Sequence, residues 1–119
     1  MIKGVKFASI PTRDQDRAVE FWTQKVGLRV LTDQPFDDNQ RWIELGIPSA
    51  QTSVVLFSMD GQKPGGPSNV TFWADDVEKT YQEMKARGVQ FIQEPQKADW
   101  GTAAIFQDLE GNQFVISSK

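Results

Sequence analysis

An internal repeat of about 60 residues constrains the fold of this chain more than any other feature. Each half reads as a strand-like segment, an amphipathic helix and three further strand-like segments. The matched positions, at offsets of 60 to 62 residues, are Asp14 with Asp76, Gly27 with Gly88, and Val55-Leu56 with Val115-Ile116. Chance is the alternative, because any chain of mixed helices and strands can contain two such units. The agreement of helix caps, closing glycines and strand number favours a duplicated module.

The repeat predicts an α+β fold of tandem βαβββ modules within a single domain of residues 1–119. Residues 1–59 form the first module and residues 69–119 the second, and the Gly- and Pro-rich stretch 60–68 connects them. The predicted strands are 4–10, 28–31, 41–45 and 52–58, then 69–74, 89–93, 102–106 and 113–117. The predicted helix boundaries are Thr12 or Asp14 with Gly27, and Asp76 with Gly88.

Composition excludes several kinds of chemistry. The 119 residues include neither Cys nor His, which excludes disulfides, thiolate nucleophiles, imidazole bases and metal sites that need either residue. A net charge of −3 without a Lys/Arg cluster argues against a nucleic-acid partner. No apolar run approaches the roughly 18 residues needed to cross a bilayer. The first residues show no signal-peptide pattern, so we expect a cytoplasmic protein without a membrane partner.

Three motifs resemble the vicinal oxygen chelate superfamily of glyoxalases, bleomycin-resistance proteins and ring-cleavage dioxygenases. Residues 13–22 (RDQDRAVEFW) with 26–28 resemble the family's first helix, which has an aspartate cap, an inward aromatic face and a closing glycine. Residues 75–78 with 87–89 resemble its counterpart in the second module, and residues 108–112 resemble the turn before the last strand. The resemblance implies a curled mixed sheet, a half-open barrel with helices on its outer face, whose inner surface is a cup.

In metal-dependent members of that family, His and Glu ligands project into the cup from the first and last strands of each module. The corresponding positions are Phe7, Val55, Asn69 and Val115. Only Asn69 offers a donor, a neutral amide oxygen, so the resemblance implies a member without a metal or other cofactor. Glu44 lies in a segment that resembles a ligand-bearing one, but on the third strand, whereas the ligand belongs on the fourth. A metal at Glu44 is the alternative, although one carboxylate would not complete a site.

Strand alternation separates two faces. One face is uniformly apolar, as a surface packed beneath helices should be: Ala8, Ile10, Val54, Leu56, Val70, Phe72, Phe114 and Ile116. The other mixes aromatic, hydroxyl and amide side chains and is predicted to line the cup. The predicted ligand-binding residues are Phe7, Ser9, Trp42, Glu44, Val55, Phe57, Asn69, Thr71, Trp73, Trp100 and Val115. No catalytic residue is predicted.

A concave surface of aromatic and polar groups is typical of sites for small organic molecules. Trp42, Trp73 and Trp100 are expected to stack on a flat ring or face a cation, and Glu44 to anchor a positive group. The alternative is that these indoles fill the core or a subunit interface. For Trp73, the competing interpretation is a register shifted by one residue, which would bury Trp73 beneath the helix and turn Phe72 towards the cup.

Three functions are open. The first is a metal-free protein that binds a small aromatic organic molecule, as the family's antibiotic-resistance members do. The second is a glyoxalase-type lyase or dioxygenase-like enzyme, which the missing His and Glu ligands disfavour. The third is an assembly module without a ligand. A homodimer is also expected, because family members usually pair and exposed strand edges need cover.

Overall fold

The computed structural model describes residues 1–119 and contains two four-stranded mixed sheets. The chain divides into two compact units, Met1–Pro64 and Gly65–Lys119, which we call module 1 and module 2 from here on. Module 1 contains β1 (Phe7–Ile10), α1 (Gln15–Glu20) with a π-helical continuation (Phe21–Val26), β2 (Arg29–Pro35), β3 (Arg41–Gly46) and β4 (Ser53–Leu56). Module 2 contains β5 (Gly66–Trp73), α2 (Val77–Ala86), β6 (Gln90–Ala98), β7 (Gly101–Gln107) and β8 (Asn112–Ser117).

The two modules have the same strand order, β1-β4-β3-β2 and β5-β8-β7-β6. In each, the first strand runs parallel to the last and the remaining neighbours are antiparallel. The two modules also share a break in strand pairing. The register shifts between Val30 and Thr32 on β2, and between Phe91 and Gln93 on β6. The predicted α+β fold of tandem βαβββ modules is therefore confirmed.

Several boundaries differ from the predicted ones. The strand expected at 69–74 begins at Gly66, inside the predicted connector, and the boundary between the units falls at Pro64. β2 and β6 continue to Pro35 and Ala98, beyond the predicted ends at 31 and 93. These extensions are mostly exposed and are held by pairing with β3 and β7, so they carry no hydrophobic alternation that a sequence could reveal.

Aspartates begin both helices. The Asp14 carboxylate accepts a hydrogen bond from the Arg17 amide at 3.1 Å, and the Asp76 carboxylate accepts one from the Lys79 amide at 3.0 Å. Asp14 is therefore the first cap, rather than Thr12. Gly27, with φ of 97°, ends the π-helical turns after α1, a conformation that only glycine adopts without strain. No helix of the chain is long and apolar enough to span a bilayer.

The predicted apolar face packs on the helix side in both modules. Ile10, Val54 and Leu56 are at most 1% exposed in module 1, whose helix buries Phe21 and Trp22. In module 2 a chain of ring contacts leads from the helix to the sheet: Tyr81 to Phe91 at 4.7 Å, Phe91 to Phe106 at 6.0 Å, and Phe106 to Phe114 at 5.3 Å.

The β7–β8 turn is held by a buried carboxylate. Asp108 accepts hydrogen bonds from the backbone amides of Glu110 and Asn112 and from the Asn112 side chain, at 2.8 to 3.0 Å. Asn112 in turn accepts from the Gly65 amide at 2.8 Å, which ties the start of module 2 to this turn. Burial raises the pKa of Asp108 above its ordinary value, while the hydrogen bonds from Asn112 and Glu110 act in the opposite direction. The turn that resembles a family motif is thus structural.

Side-chain amides join β3 to β4 where their backbones part. The direct ladder covers only Glu44–Gly46 of β3. Beyond it, Gln15 Nε2 donates to the carbonyls of Arg41 and Leu56 at 2.7 and 2.8 Å, and its Oε1 accepts from the Arg41 amide at 2.9 Å. Gln40 bridges to Ser58 in the same manner, at 3.0 and 2.8 Å.

We expect Gln15→Ala to lower the free energy of unfolding by about 2–3 kcal/mol, because three hydrogen-bonding groups of two strands lose their partner. Urea unfolding measures this loss. Gln24→Ala is the control, since Gln24 lies exposed on the π-helical continuation of α1 and its replacement should change stability little. Equal stability of the two variants would show that the bridge is not needed.

Candidate ligand-binding site

The sheet of module 1 has one face that is not covered by its helix, and we call it the helix-free face. Phe7 pairs with Ser53, and Ser9 with Val55, in the parallel β1–β4 ladder. Val55 also pairs with Glu44 across the antiparallel β3–β4 ladder. Since directly paired residues lie on the same face, these side chains share one surface with Trp42 and Phe57, as alternation predicts.

Four aromatic rings meet on this face, and we call them the aromatic cluster: Phe7, Phe36, Trp42 and Phe57. Trp42 is central, with ring centroids 5.4 Å from Phe7, 5.1 Å from Phe57 and 6.1 Å from Phe36. Phe36 also lies 4.9 Å from Phe57, edge to face. Although it belongs to this cluster, the Phe36 side chain is 60% exposed. The cluster therefore presents an accessible aromatic surface on a packed base.

A carboxylate adjoins the aromatic cluster. Glu44 lies two residues after Trp42 on β3, so the two side chains point to the same face about 7 Å apart. Its Oε2 accepts a hydrogen bond from the Ser53 hydroxyl at 2.7 Å. This bond fixes the orientation of the carboxylate and leaves its second oxygen available.

Burial divides the predicted residues of module 1 into two groups. Phe7, Ser9, Trp42 and Glu44 are half-buried and retain accessible surface. Val55 is 0% exposed and Phe57 is 6% exposed. Val55 therefore supports its neighbours and presents no surface to a ligand in this arrangement.

Module 2 has an equivalent face. Asn69, Thr71 and Trp73 alternate along β5 and are exposed, and Thr71 pairs with the half-buried Val115 of β8. Ile105 pairs with Val115 from the other side, at the position that Glu44 has in module 1. The surface is thus amide, hydroxyl and indole above aliphatic side chains, without a carboxylate in the central position.

Trp73 faces away from the helix of module 2. It is 58% exposed, whereas its neighbour Phe72 lies with its ring centroid 5.8 Å from Phe114 and 6.2 Å from Phe106. The competing interpretation, a register shifted by one, is therefore wrong. The ammonium of Lys119 lies 4.8 Å from the Trp73 ring centroid, so the indole already faces one cation.

Trp100 and Arg41 do not belong to the aromatic cluster. Trp100, a predicted ligand-binding residue, lies in the turn between Ala98 and Gly101 and is 66% exposed. Arg41 points to the helix side, with its guanidinium 2.9 Å from Asp16 and 3.0 Å from Asp33. Hydrogen bonds to Asp33 and Asp16 raise its pKa further above the ordinary value.

Phe36 is the site residue that sequence reasoning missed. It follows the last residue of β2, where alternation no longer assigns a face, and the Asp37 turn returns it towards β3. The available signal was an aromatic residue directly before an Asp-Asp-Asn turn.

The residues at the expected metal positions do not fit a divalent ion. Phe7 belongs to the aromatic cluster, Val55 is buried, Val115 is aliphatic, and Asn69 offers one neutral oxygen. Glu44 lies on the third strand, as expected, beside hydroxyl and aromatic groups. No three acidic side chains of the chain lie close enough together to hold a metal.

Comparison with known proteins identifies the family. A family model described as "Glyoxalase/Bleomycin resistance protein/Dioxygenase superfamily" matches residues 4–116, so the chain belongs to this superfamily. The uncharacterized protein YetH of Bacillus subtilis (strain 168) is 33% identical, over 98% of each chain.

Two solved structures are similar over nearly the whole length. A superfamily member from Sphaerobacter thermophilus DSM 20745 has a TM-score of 0.90 and 32% identity, covering 99% of this chain and 98% of that one. TnmS3, an antibiotic binding protein from Streptomyces sp. CB03234, has a TM-score of 0.88 and 31% identity, covering 98% and 96%.

The two tryptophans of these faces should differ in their effect on stability. Trp42→Ala removes three ring contacts, and we expect it to lower the free energy of unfolding by about 2–3 kcal/mol. Trp73→Ala removes an exposed indole and one cation contact, so a loss of about 1 kcal/mol is expected. Urea unfolding of both variants tests this, and a larger loss for Trp73 would contradict the assignment of faces.

Proposed function

We propose that this protein binds a flat aromatic organic molecule with a positive charge on the helix-free face of module 1, without a metal. The observation that carries the proposal is the aromatic cluster beside Glu44. Phe36 is 60% exposed next to Trp42, and a flat ring that covered both would bury apolar surface worth about 25 cal/mol per Å².

Glu44 supplies the charge preference. One of its oxygens accepts from Ser53 at 2.7 Å, and the other is available to an N–H donor on the ligand. Because the side chain stands on a strand and is already oriented, little conformational entropy is lost when it binds. A charge-assisted hydrogen bond of this kind contributes about 1.5–3 kcal/mol.

Module 2 offers a second aromatic contact surface under the same proposal. Trp73 is exposed, and Thr71 lies two residues before it with a hydroxyl that can donate or accept a hydrogen bond. Asn69, further along the strand, adds an amide. We infer that these three residues form a separate contact surface on module 2, and that the buried Val55 of module 1 does not touch ligand.

The similarity to TnmS3 supports binding rather than catalysis, since that protein is an antibiotic binding protein. The lyase and dioxygenase activities of the family rest on metal donors, which the positions of Phe7, Val55 and Val115 do not provide. We assign the protein to the cytoplasm as part of the same proposal, which agrees with a chain without cysteine.

Quenching of tryptophan fluorescence by two flat probes tests the binding site. We expect 9-aminoacridine, which is positively charged, to bind about tenfold more tightly than neutral acridone, because only the cation engages Glu44. Glu44→Gln should abolish this difference. Phe36→Ala should weaken both probes about five- to tenfold through lost stacking.

Leu109→Ala is the matched control, because Leu109 is a 49% exposed apolar residue in a turn of module 2. It should leave both affinities unchanged. If neither Glu44→Gln nor Phe36→Ala changes the affinity for the probes, the binding site does not lie on this face. If no saturable quenching occurs, the function as an assembly module is favoured.

Native mass spectrometry tests the composition of the protein. We expect a homodimer of the 13.4 kDa chain that carries no metal after incubation with zinc or manganese and dialysis. The dimer is proposed because edge strand β2 exposes Val30 and Leu31, 44% and 51% accessible, which a second copy would cover. A monomer at micromolar concentration, or a stoichiometric metal increment, would contradict the respective half of this prediction.

A further inference from the structure

A cavity of about 490 Å³ opens in module 2, on the helix side of its sheet. It lies where the first turn of α2 faces the ends of β6 and β7, away from the face that bears Trp73. Its lining consists of Asp75, Asp76, Val77, Glu78, Pro95, Lys97, Thr102 and Ser118. None of these residues belongs to the proposed aromatic site.

The duplicated module shows what the equivalent space contains. Asp14 and Asp76 both cap helices, so Gln15 corresponds to Val77 and Asp16 to Glu78. Glu44 and Ile105 occupy the same register, opposite Val55 and Val115. Arg41 lies three residues before Glu44 and Thr102 lies three residues before Ile105, so Arg41 and Thr102 are also equivalent.

In module 1 the side chains at the equivalent positions bind other groups of the same chain. Gln15 hydrogen-bonds to β3 and β4, and the Arg41 guanidinium lies 2.9 Å from Asp16 and 3.0 Å from Asp33. Module 2 has the shorter Val77 and Thr102 at the positions of Gln15 and Arg41. Glu78, at the position of Asp16, is retained in the lining of the cavity. Glu94, at the position of Asp33, lies outside this lining and accepts a hydrogen bond from the Tyr81 hydroxyl at 3.4 Å.

We propose that the cavity of module 2 binds a guanidinium group supplied by a ligand, at the place where module 1 carries its own Arg41. Three carboxylates and one ammonium line the cavity, so its net charge favours a cation. The carboxylates are too far apart to hold a metal ion together, which suits a broad, planar cation with several N–H donors. Pro95 and Val77 provide apolar walls for the methylene chain attached to such a group.

The lining polar groups allow this binding. Asp76 accepts from the Lys79 amide through Oδ1 only, and Glu78 accepts from Gln82 through Oε1 only. Lys97 forms no ion pair with the carboxylates. Thr102, which pairs with Lys97 across the sheet, adds a hydroxyl. The guanidinium can belong to a free small molecule or to an arginine side chain of a peptide.

Titration of the ¹⁵N-labelled protein, followed by amide chemical shifts, tests the proposal. Agmatine should shift the amides of Val77, Thr102 and Ser118 saturably, with a Kd of about 1 mM. Urea has the same planar shape without charge and should cause no saturable shift, nor should sodium chloride at matched ionic strength. A Gly-Arg-Gly peptide that binds more tightly than agmatine would identify a peptide as the source of the guanidinium.

Variants separate this site from general electrostatic attraction. Asp75→Asn with Glu78→Gln should weaken agmatine at least about tenfold, or 1.4 kcal/mol, whereas Asp38→Asn, an exposed carboxylate in module 1, should not. Thr102→Arg should place a guanidinium in the cavity of module 2, at the position equivalent to that of Arg41 in module 1. This variant should abolish the agmatine shifts and raise the melting temperature. Shifts that urea reproduces, or that survive both module 2 variants, would overturn the proposal.

Discussion

The hydrogen bonds of Gln15 join the first helix to two strands of module 1. One amide group replaces the ladder between β3 and β4 at the point where the two backbones part. On the other face of the same strand, next to the bridged residue Arg41, the Trp42 ring contacts Phe57 at 5.1 Å. The separation of the strands and the position of the aromatic cluster are therefore set together, and the proposed site depends on a helix residue that cannot touch the ligand.

Duplication explains why two modules with one strand order offer different surfaces. The backbone plan, the aspartate caps and the register shift are common to both. Three of the differences at equivalent positions change the polar groups of these surfaces: Gln15 and Val77, Arg41 and Thr102, Glu44 and Ile105. In module 1 the first two bind other groups of the same chain, whereas their counterparts in module 2 line a cavity, and the third gives only module 1 a carboxylate on the helix-free face. Under the two proposals, the cation-binding sites therefore lie on opposite faces of the sheets in the two modules.

The sequence predicted what depends on local pattern. Alternation along β5 is sufficient to place Trp73 on the helix-free face of module 2 and Phe72 beneath the helix. Only one face of the sheet is covered, so each side chain of the strand has just two possible directions. It did not predict the burial of Val55 or the contacts of Phe36. Val55 is inaccessible although Val115, on the equivalent inner strand of module 2, is half-buried, and Phe36 reaches Trp42 through the geometry of a turn. The burial of Val55 depends on the packing of side chains from several elements, and the position of Phe36 depends on a turn whose geometry alternation does not describe. The ion pairs of Arg41 likewise depend on carboxylates of two other elements.

The residue at one former ligand position connects the missing metal donors to the proposed binding surface. Phe7 occupies the first-strand position of module 1 and packs edge to face against Trp42 at 5.4 Å. A charged metal ligand there would require water or a metal beside the indole, and would separate the rings of the cluster. The aromatic side chain instead extends the apolar surface towards Ser9 and Glu44. Under the proposed function, one substitution both removes a metal donor and adds a wall of the aromatic site, so the two properties need not have arisen separately.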